Sequence, residues 1–179
     1  MITEPTLVTY RLPMPGYIAQ PGAPTRWLTT FLHVPKQEII GCTEKEVAEI
    51  EAEAGRPLPL SYKQWLREAG RGIGNGGVAD HFRRSYLMYP DVLKVREMAK
   101  EALRGWGDES LLGRAFPFYN WEFWCTYLLD LSELWEDPPV LQLDADSQRV
   151  DRLFPSFSCF MAYEIFKLAD GLEMSRRRW

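Results

Sequence analysis

Between Thr43 and Gly70 the chain carries two helical patterns separated by Pro57 and Pro59, and this stretch restricts the possible folds most. In "TEKEVAEIEAEAG", Thr43 and Glu46 form a capping box, each side chain serving the other residue's free backbone N–H. Val47, Ile50 and Ala54 recur at helical spacing, and Gly55 stands where the chain would leave the helix. Glu44, Glu46 and Glu49 favour the positive end of its dipole. In "PLPLSYKQWLREAG", the two prolines force an extended approach, and Ser61 with Gln64 offers a second capping box. Tyr62, Trp65, Leu66 and Ala69 share one face, and Gly70 is the expected stop.

Around this pair the chain reads as one domain. Residues 1–25 hold Pro5, Pro13, Pro15, Pro21 and Pro24, which excludes regular helix and predicts an extended arm. A short helix is expected from Thr25, with Trp27, Leu28, Phe31 and Leu32 on one face and Pro35 beyond. After the glycines at 70–77, "YLMY" reads as a strand, and "PDVLKVREMAKEALRGWG" as a helix burying Val92, Val95, Met98, Ala99, Ala102 and Leu103. Strands are predicted in "RAFPFY", "EFWCTYLLDL", "PVLQLD" and "VDRLF". Ser156 caps a closing helix with Phe157, Phe160, Met161 and Leu168 inward. The division is an arm (1–25), a domain (26–170) and a basic, loose tail (171–179). Helices at both ends with strands between them predict an α+β fold.

Composition narrows the function. With 46% apolar and 26% charged residues among 179, the chain has a globular profile, and it contains no apolar run that would span a bilayer. The first residues lack the pattern of a signal peptide. Three scattered cysteines point to neither a disulfide framework nor a zinc site, so a reducing, cytoplasmic setting is expected. A net charge of −4 argues against direct nucleic-acid binding and permits a basic protein partner.

Gly72, Gly74 and Gly77 in "GRGIGNGG" match the G-x-G-x-x-G pattern of dinucleotide sites. That chemistry needs a preceding strand and a following helix. Here a helix precedes, and "VADHFRRSY" shows no apolar helical stripe, so the glycines are read as structural and no cofactor is expected.

Other candidates for chemistry are sparse. His33 and His81 are read as surface or turn histidines, and Cys125 and Cys159 as core. Asp144, Asp146 and Asp151 fit a turn better than a calcium loop, so neither a metal site nor a catalytic residue is assigned. Glu51 lies on the apolar stripe of its helix. It could be an acid–base group, but acceptance of backbone N–H bonds from the "PLPLS" turn or the glycine segment is the reading preferred. Trp121, at a predicted hairpin tip, is the candidate partner contact. Glu122, Glu133, Glu136 and Asp137 are acids that could meet a basic surface.

The stretch "GCTEKEVAEIEAEAGRPLPLSYKQWLREAGRGIGNGG" resembles the opening motif of the SUKH superfamily, which holds fungal Smi/Knr-type cell-wall regulators and bacterial toxin-immunity proteins. The matching positions are Ile50 and Glu51 on the capped helix, Gly55, Leu58 and Pro59 in the turn, and then Tyr62, Trp65, Leu66, Gly70 and Gly72. "FPFYNWEFWCTYLLDLSELWEDPPVLQLD" is similar to the family's paired strands, and "LFPSFSCFMAYEIF" to its closing helix. The likeness covers roughly residues 40–170. Asn120, Trp121 and Glu122 depart from the small residues usual at the hairpin tip, and the proline-rich start lies outside the pattern. The resemblance implies a curved, mostly antiparallel sheet flanked by helices, used as a binding platform without shared catalytic residues. It implies a protein partner, with a toxin domain as the leading case and a regulatory adaptor role as the alternative.

Overall fold

The computed structural model describes residues 18–74, 76–106, 109–121 and 125–176. Helix α1 spans Ala23–Phe31, starting inside the stretch expected to be extended. Pro24 falls in its first turn, where the missing N–H has no intrahelical partner to lose. The free amides of that turn are met from elsewhere: Glu68 accepts from Gly22 N and, at 3.0 Å, from Thr25 N. Ile18 and Ala19 are already buried, and Ile18 N donates to Ser158 Oγ at 3.3 Å.

A two-residue strand β1 (Ile39–Ile40) leads into α2 (Glu44–Ala54), which begins with both bonds of the Thr43–Glu46 capping box. It ends at Gly55 in the left-handed region, φ 68°. Helix α3 spans Leu60–Ala69, two residues earlier than a cap at Ser61 would give, because Pro59 at φ −59° and ψ 151° already occupies the capping position. The expected capping box at Ser61 is therefore absent. Ser61 N donates instead to Glu136 O at 2.9 Å, and Gln64 turns to Glu68. Tyr62, Trp65, Leu66 and Ala69 are fully buried.

Strand β2 (Gly72–Ile73) pairs antiparallel with β1, Gly72 opposite Ile40 and Ile73 opposite Ile39. The glycines run on into helix α4 (Gly77–Arg84), which the sequence reading missed. Val78, Ala79 and Phe82 supply its buried side, a stripe too short for periodicity to reveal. The "YLMY" segment is a turn and not a strand: Tyr86 has φ 56°, while Leu87 and Met88 are buried. Although a strand and a helix now flank the glycines, β2 is a two-residue antiparallel edge. A Cβ on Gly74 would meet Val34 at 3.2 Å, so this backbone lies against protein.

Helix α5 (Val92–Trp106) precedes a four-stranded antiparallel sheet: β3 (Ala115–Trp121), β4 (Cys125–Asp130), β5 (Val140–Asp144) and β6 (Arg149–Phe154), in that spatial order. Ala99 and Leu103 of α5 pack with Leu128, Leu141 and Leu143. The other core joins Phe116, Leu129 and Val140 to α6 (Phe157–Arg176) and the helical layer. A register shift between Pro117 and Tyr119 lets Phe118 and Tyr119, sequence neighbours, both enter that core. Edge strand β6 presents Arg149, Asp151 and Arg152, charges that discourage pairing with other chains. Ser156 Oγ accepts from Cys159 N as a cap, and α6 runs through Gly171 to Arg176, so the expected loose tail is helical over 171–176. Residues 177–179 lie outside the described residues. The fold is α+β.

The tightest backbone contact joins the start of α2 to α3. Cys42 N donates to Leu66 O at 2.8 Å, and a Cβ added to Gly41 would sit 1.7 Å from Arg67 O. Gly70 is demanded for the same kind of reason, since its φ is an ordinary −68° but its Cβ would lie 2.8 Å from Cys42 Sγ. Gly41→Ala is therefore expected to destabilise the fold by about 1–3 kcal/mol, by pushing the backbone that leads into α2 away from α3. Urea unfolding of the variant beside wild type measures this, and an unchanged midpoint would refute the contact.

Candidate functional site

The loop between β4 and β5 is held at both ends by backbone bonds. Leu131 N donates to Arg114 O at 2.8 Å, and Asp130 N to Pro139 O at 2.9 Å. Its middle is tied to the helical layer through the bond from Ser61 N to Glu136 O. From the α2–α3 turn, the Arg56 guanidinium donates to Leu131 O at 2.5 Å and to Gly113 O at 2.6 Å. Asp137 Oδ1 accepts from Ser158 N at 3.0 Å, which places a carboxylate at the positive end of α6.

So anchored, the loop carries apolar groups outward. Leu134 is 99% exposed and Trp135 41%, and across a groove of about 430 Å³ Leu60 is 43% exposed. The floor is the turn Gly55–Pro59. Glu133 and Glu136 are exposed on the rim. Leu134 was not singled out by sequence reasoning. The available signal was "SELWEDPP", an apolar pair bracketed by acids where a loop should be polar.

The other sequence candidates lie elsewhere. Trp121 ends β3, at the opposite end of β4 from the loop. Its ring is 5.1 Å from that of His81, and Lys167 Nζ sits 4.8 Å above it. Glu122 lies outside the described residues. The acids Glu133, Glu136 and Asp137 therefore cluster, while Trp121 is separate and half-buried.

His81 is not the surface histidine expected. Its side chain is 9% exposed, and Nε2 lies 3.0 Å from Glu164 Oε2, which also accepts from Tyr119 OH at 2.8 Å. Glu164 and Tyr119 are buried, and burial followed by the Glu164 charge pushes the Tyr119 hydroxyl far above the usual tyrosine range. Ionisation of that hydroxyl as a nucleophile is thus opposed. The trio ties α4, β3 and α6 together.

His33 is exposed at φ 54°, and Cys125 and Cys159 are half-buried where core positions were expected, each lying near a sheet or helix boundary. Cys42 is the buried cysteine. Burial, then the Glu46 charge, push its thiol up to about 12, against the pull of Arg71. Asp144 Oδ1 accepts from Asp146 N and Ser147 N, closing the β5–β6 turn. Among the described residues no group of three or more His, Cys, Asp or Glu could hold a metal ion. No helix among them is long and apolar enough to cross a membrane.

Glu51 serves the groove floor. Its Oε1 accepts from Leu58 N at 2.9 Å and from Lys63 Nζ at 3.1 Å. Burial raises its pKa, but the Leu58 amide and Lys63 together outweigh that, and the carboxyl is held below its ordinary 4.5.

The described residues form a helix-flanked antiparallel sheet of α+β class, with Leu60, Leu134 and Trp135 exposed around one groove and Ile40, Val150 and Leu153 exposed elsewhere. Comparison with protein families matches residues 41–163 to the SMI1/KNR4 family (SUKH-1), and the chain belongs to that family. A comparison with curated proteins returned no match. Membership places the chain at the level of protein-binding modules of the toxin-immunity or Smi/Knr kind, a family that is in general non-catalytic.

Glu51→Ala leaves the Leu58 amide without its acceptor. The ion pair with Lys63, whose side chains are 24% (Lys63) and 31% (Glu51) exposed, is screened and adds little. A loss of about 1 kcal/mol at pH 7 is expected. Because the folded carboxyl titrates below its ordinary 4.5, the contribution is complete above that pH. It disappears as pH falls through the lower folded value. Urea midpoints of wild type and variant should converge on acidification; a gap constant with pH, or none at pH 7, contradicts this role.

Proposed function

We propose that this chain is a non-enzymatic cytoplasmic immunity protein, which neutralises a bacterial toxin domain by covering its working surface. The observation that carries the reading is the anchored loop with Leu134 and Trp135 exposed between Glu133 and Glu136. Family membership supports a protein partner over a small-molecule substrate. Aromatic and aliphatic side chains on a pre-ordered loop supply binding energy with little ordering cost. The acids speed encounter with a basic surface, and a nuclease that grips nucleic acid presents one. The net charge of −4 fits such a partner. The opposed reading, a regulatory adaptor, draws on the same family match, whose description names SMI1 and KNR4.

Co-expression with a toxin domain encoded beside this gene, where one stands there, separates the two. Immunity requires restored growth and a complex that survives size-exclusion chromatography. Continued toxicity with no complex rejects immunity and leaves the adaptor.

A further inference from the structure

The protein-binding reading leaves the partner's chemistry open. We propose that the groove between the α2–α3 turn and the Leu131–Pro139 loop receives a basic segment of a partner protein, with one large apolar side chain flanked by Lys or Arg. The inference rests on the protein-binding reading but not on the partner being a toxin.

Three observations on the same surface carry it. First, Leu134 at 99% exposure, Trp135 at 41% and Leu60 at 43% face water on the two sides of one groove of about 430 Å³. Contiguous apolar groups of this kind, ringed by polar ones, mark interaction sites. Second, the groove is pre-built: Arg56, Ser61 and Asp137 fix the loop to three separate parts of the fold. An occupant therefore meets a formed surface.

Third, the charges carried by the loop itself have one sign. From Asp130 to Val140 the chain holds Asp130, Glu133, Glu136 and Asp137 and no Lys or Arg. Asp130 and Asp137 bond the backbone, at Ser132 N and Ser158 N. Glu133 and Glu136 make no ion pair among the described residues. Of the cations lining the groove, Lys63 is paired with Glu51, while Arg56 keeps its charge but directs its N–H groups to the carbonyls of Leu131 and Gly113. An acidic peptide would meet the Glu133 and Glu136 carboxylates with like charge, whereas a basic one is steered to them.

A displayed library of random twelve-residue peptides, panned on the full chain, tests this. Enriched peptides should carry a Leu, Phe or Trp bracketed by Lys or Arg, and a synthetic one should bind more weakly as salt rises. Leu134→Asp and Trp135→Ala should each weaken it by about tenfold or more. Both side chains project from the surface, and matching melting curves will show that the variants fold. The paired change Glu133→Lys and Glu136→Lys should abolish the preference for basic sequences. Enrichment without basic residues, or binding indifferent to these variants, overturns the proposal. So does a concentration-dependent dimer dissolved by Leu134→Asp, which would make a second copy the occupant. If toxin rescue succeeds while Leu134→Asp leaves the complex intact, immunity stands and this surface fails. If the peptides behave as described and rescue fails, the surface stands and immunity fails.

Discussion

The ring of Tyr62 is the point on which the layers of this protein meet. It lies 6.1 Å from Phe116 and 5.8 Å from Phe118 of β3, and 5.3 Å from Phe157 at the start of α6. Phe118 in turn meets Phe157 and Phe160 edge-on. Helix α3 is thereby fixed to both the sheet and the closing helix by aromatic contacts with preferred geometry. The groove depends on this directly. Leu60, one wall of it, and Ser61, whose N–H holds the loop, are the two residues before Tyr62 in the same first turn. A core that shifted α3 would move the groove with it.

The same turn explains why apolar groups stay in water. Pro57 and Pro59 cannot donate backbone hydrogen bonds, so the segment is held by side chains instead: Glu51 accepts from Leu58 N, and Arg56 reaches across to the loop carbonyls. Those bonds tie the turn to the loop, on which Leu134 is 99% exposed. Trp121 meets the opposite circumstance. At its end of β3 it finds the His81 ring, and Lys167 covers it from α6, so an aromatic residue at a strand end becomes packing. Trp121 is packed between His81 and Lys167, while Trp135 keeps 41% of its surface in water at the groove.

Much of the fold was readable along the chain. The Thr43–Glu46 box, the buried face of α3, the face of α5 and the four segments that become β3 to β6 follow from caps and periodicities that act over a few residues. Helix α4 escaped because its eight residues offer only Val78, Ala79 and Phe82, too few to establish a period. The cap expected at Ser61 lies two residues earlier, at Pro59, and the remote Glu136 carbonyl accepts the Ser61 N–H that a capping side chain would otherwise take. The acids of the loop were visible as a charge cluster, and Leu134 between them was passed over because a lone leucine in a loop is ordinary.

Local pattern, then, determined most of the helices and strands, the α+β class and the family resemblance. Capping, periodicity and backbone restriction are properties of neighbours in sequence. Only the tertiary structure decided that Gly41 must admit the Arg67 carbonyl, that His81 lies in a sealed trio with Glu164 and Tyr119, and that Leu134 and Trp135 face Leu60 across a groove. Each of these joins residues tens of positions apart. Their proximity is set by how whole layers pack, which no window along the chain contains.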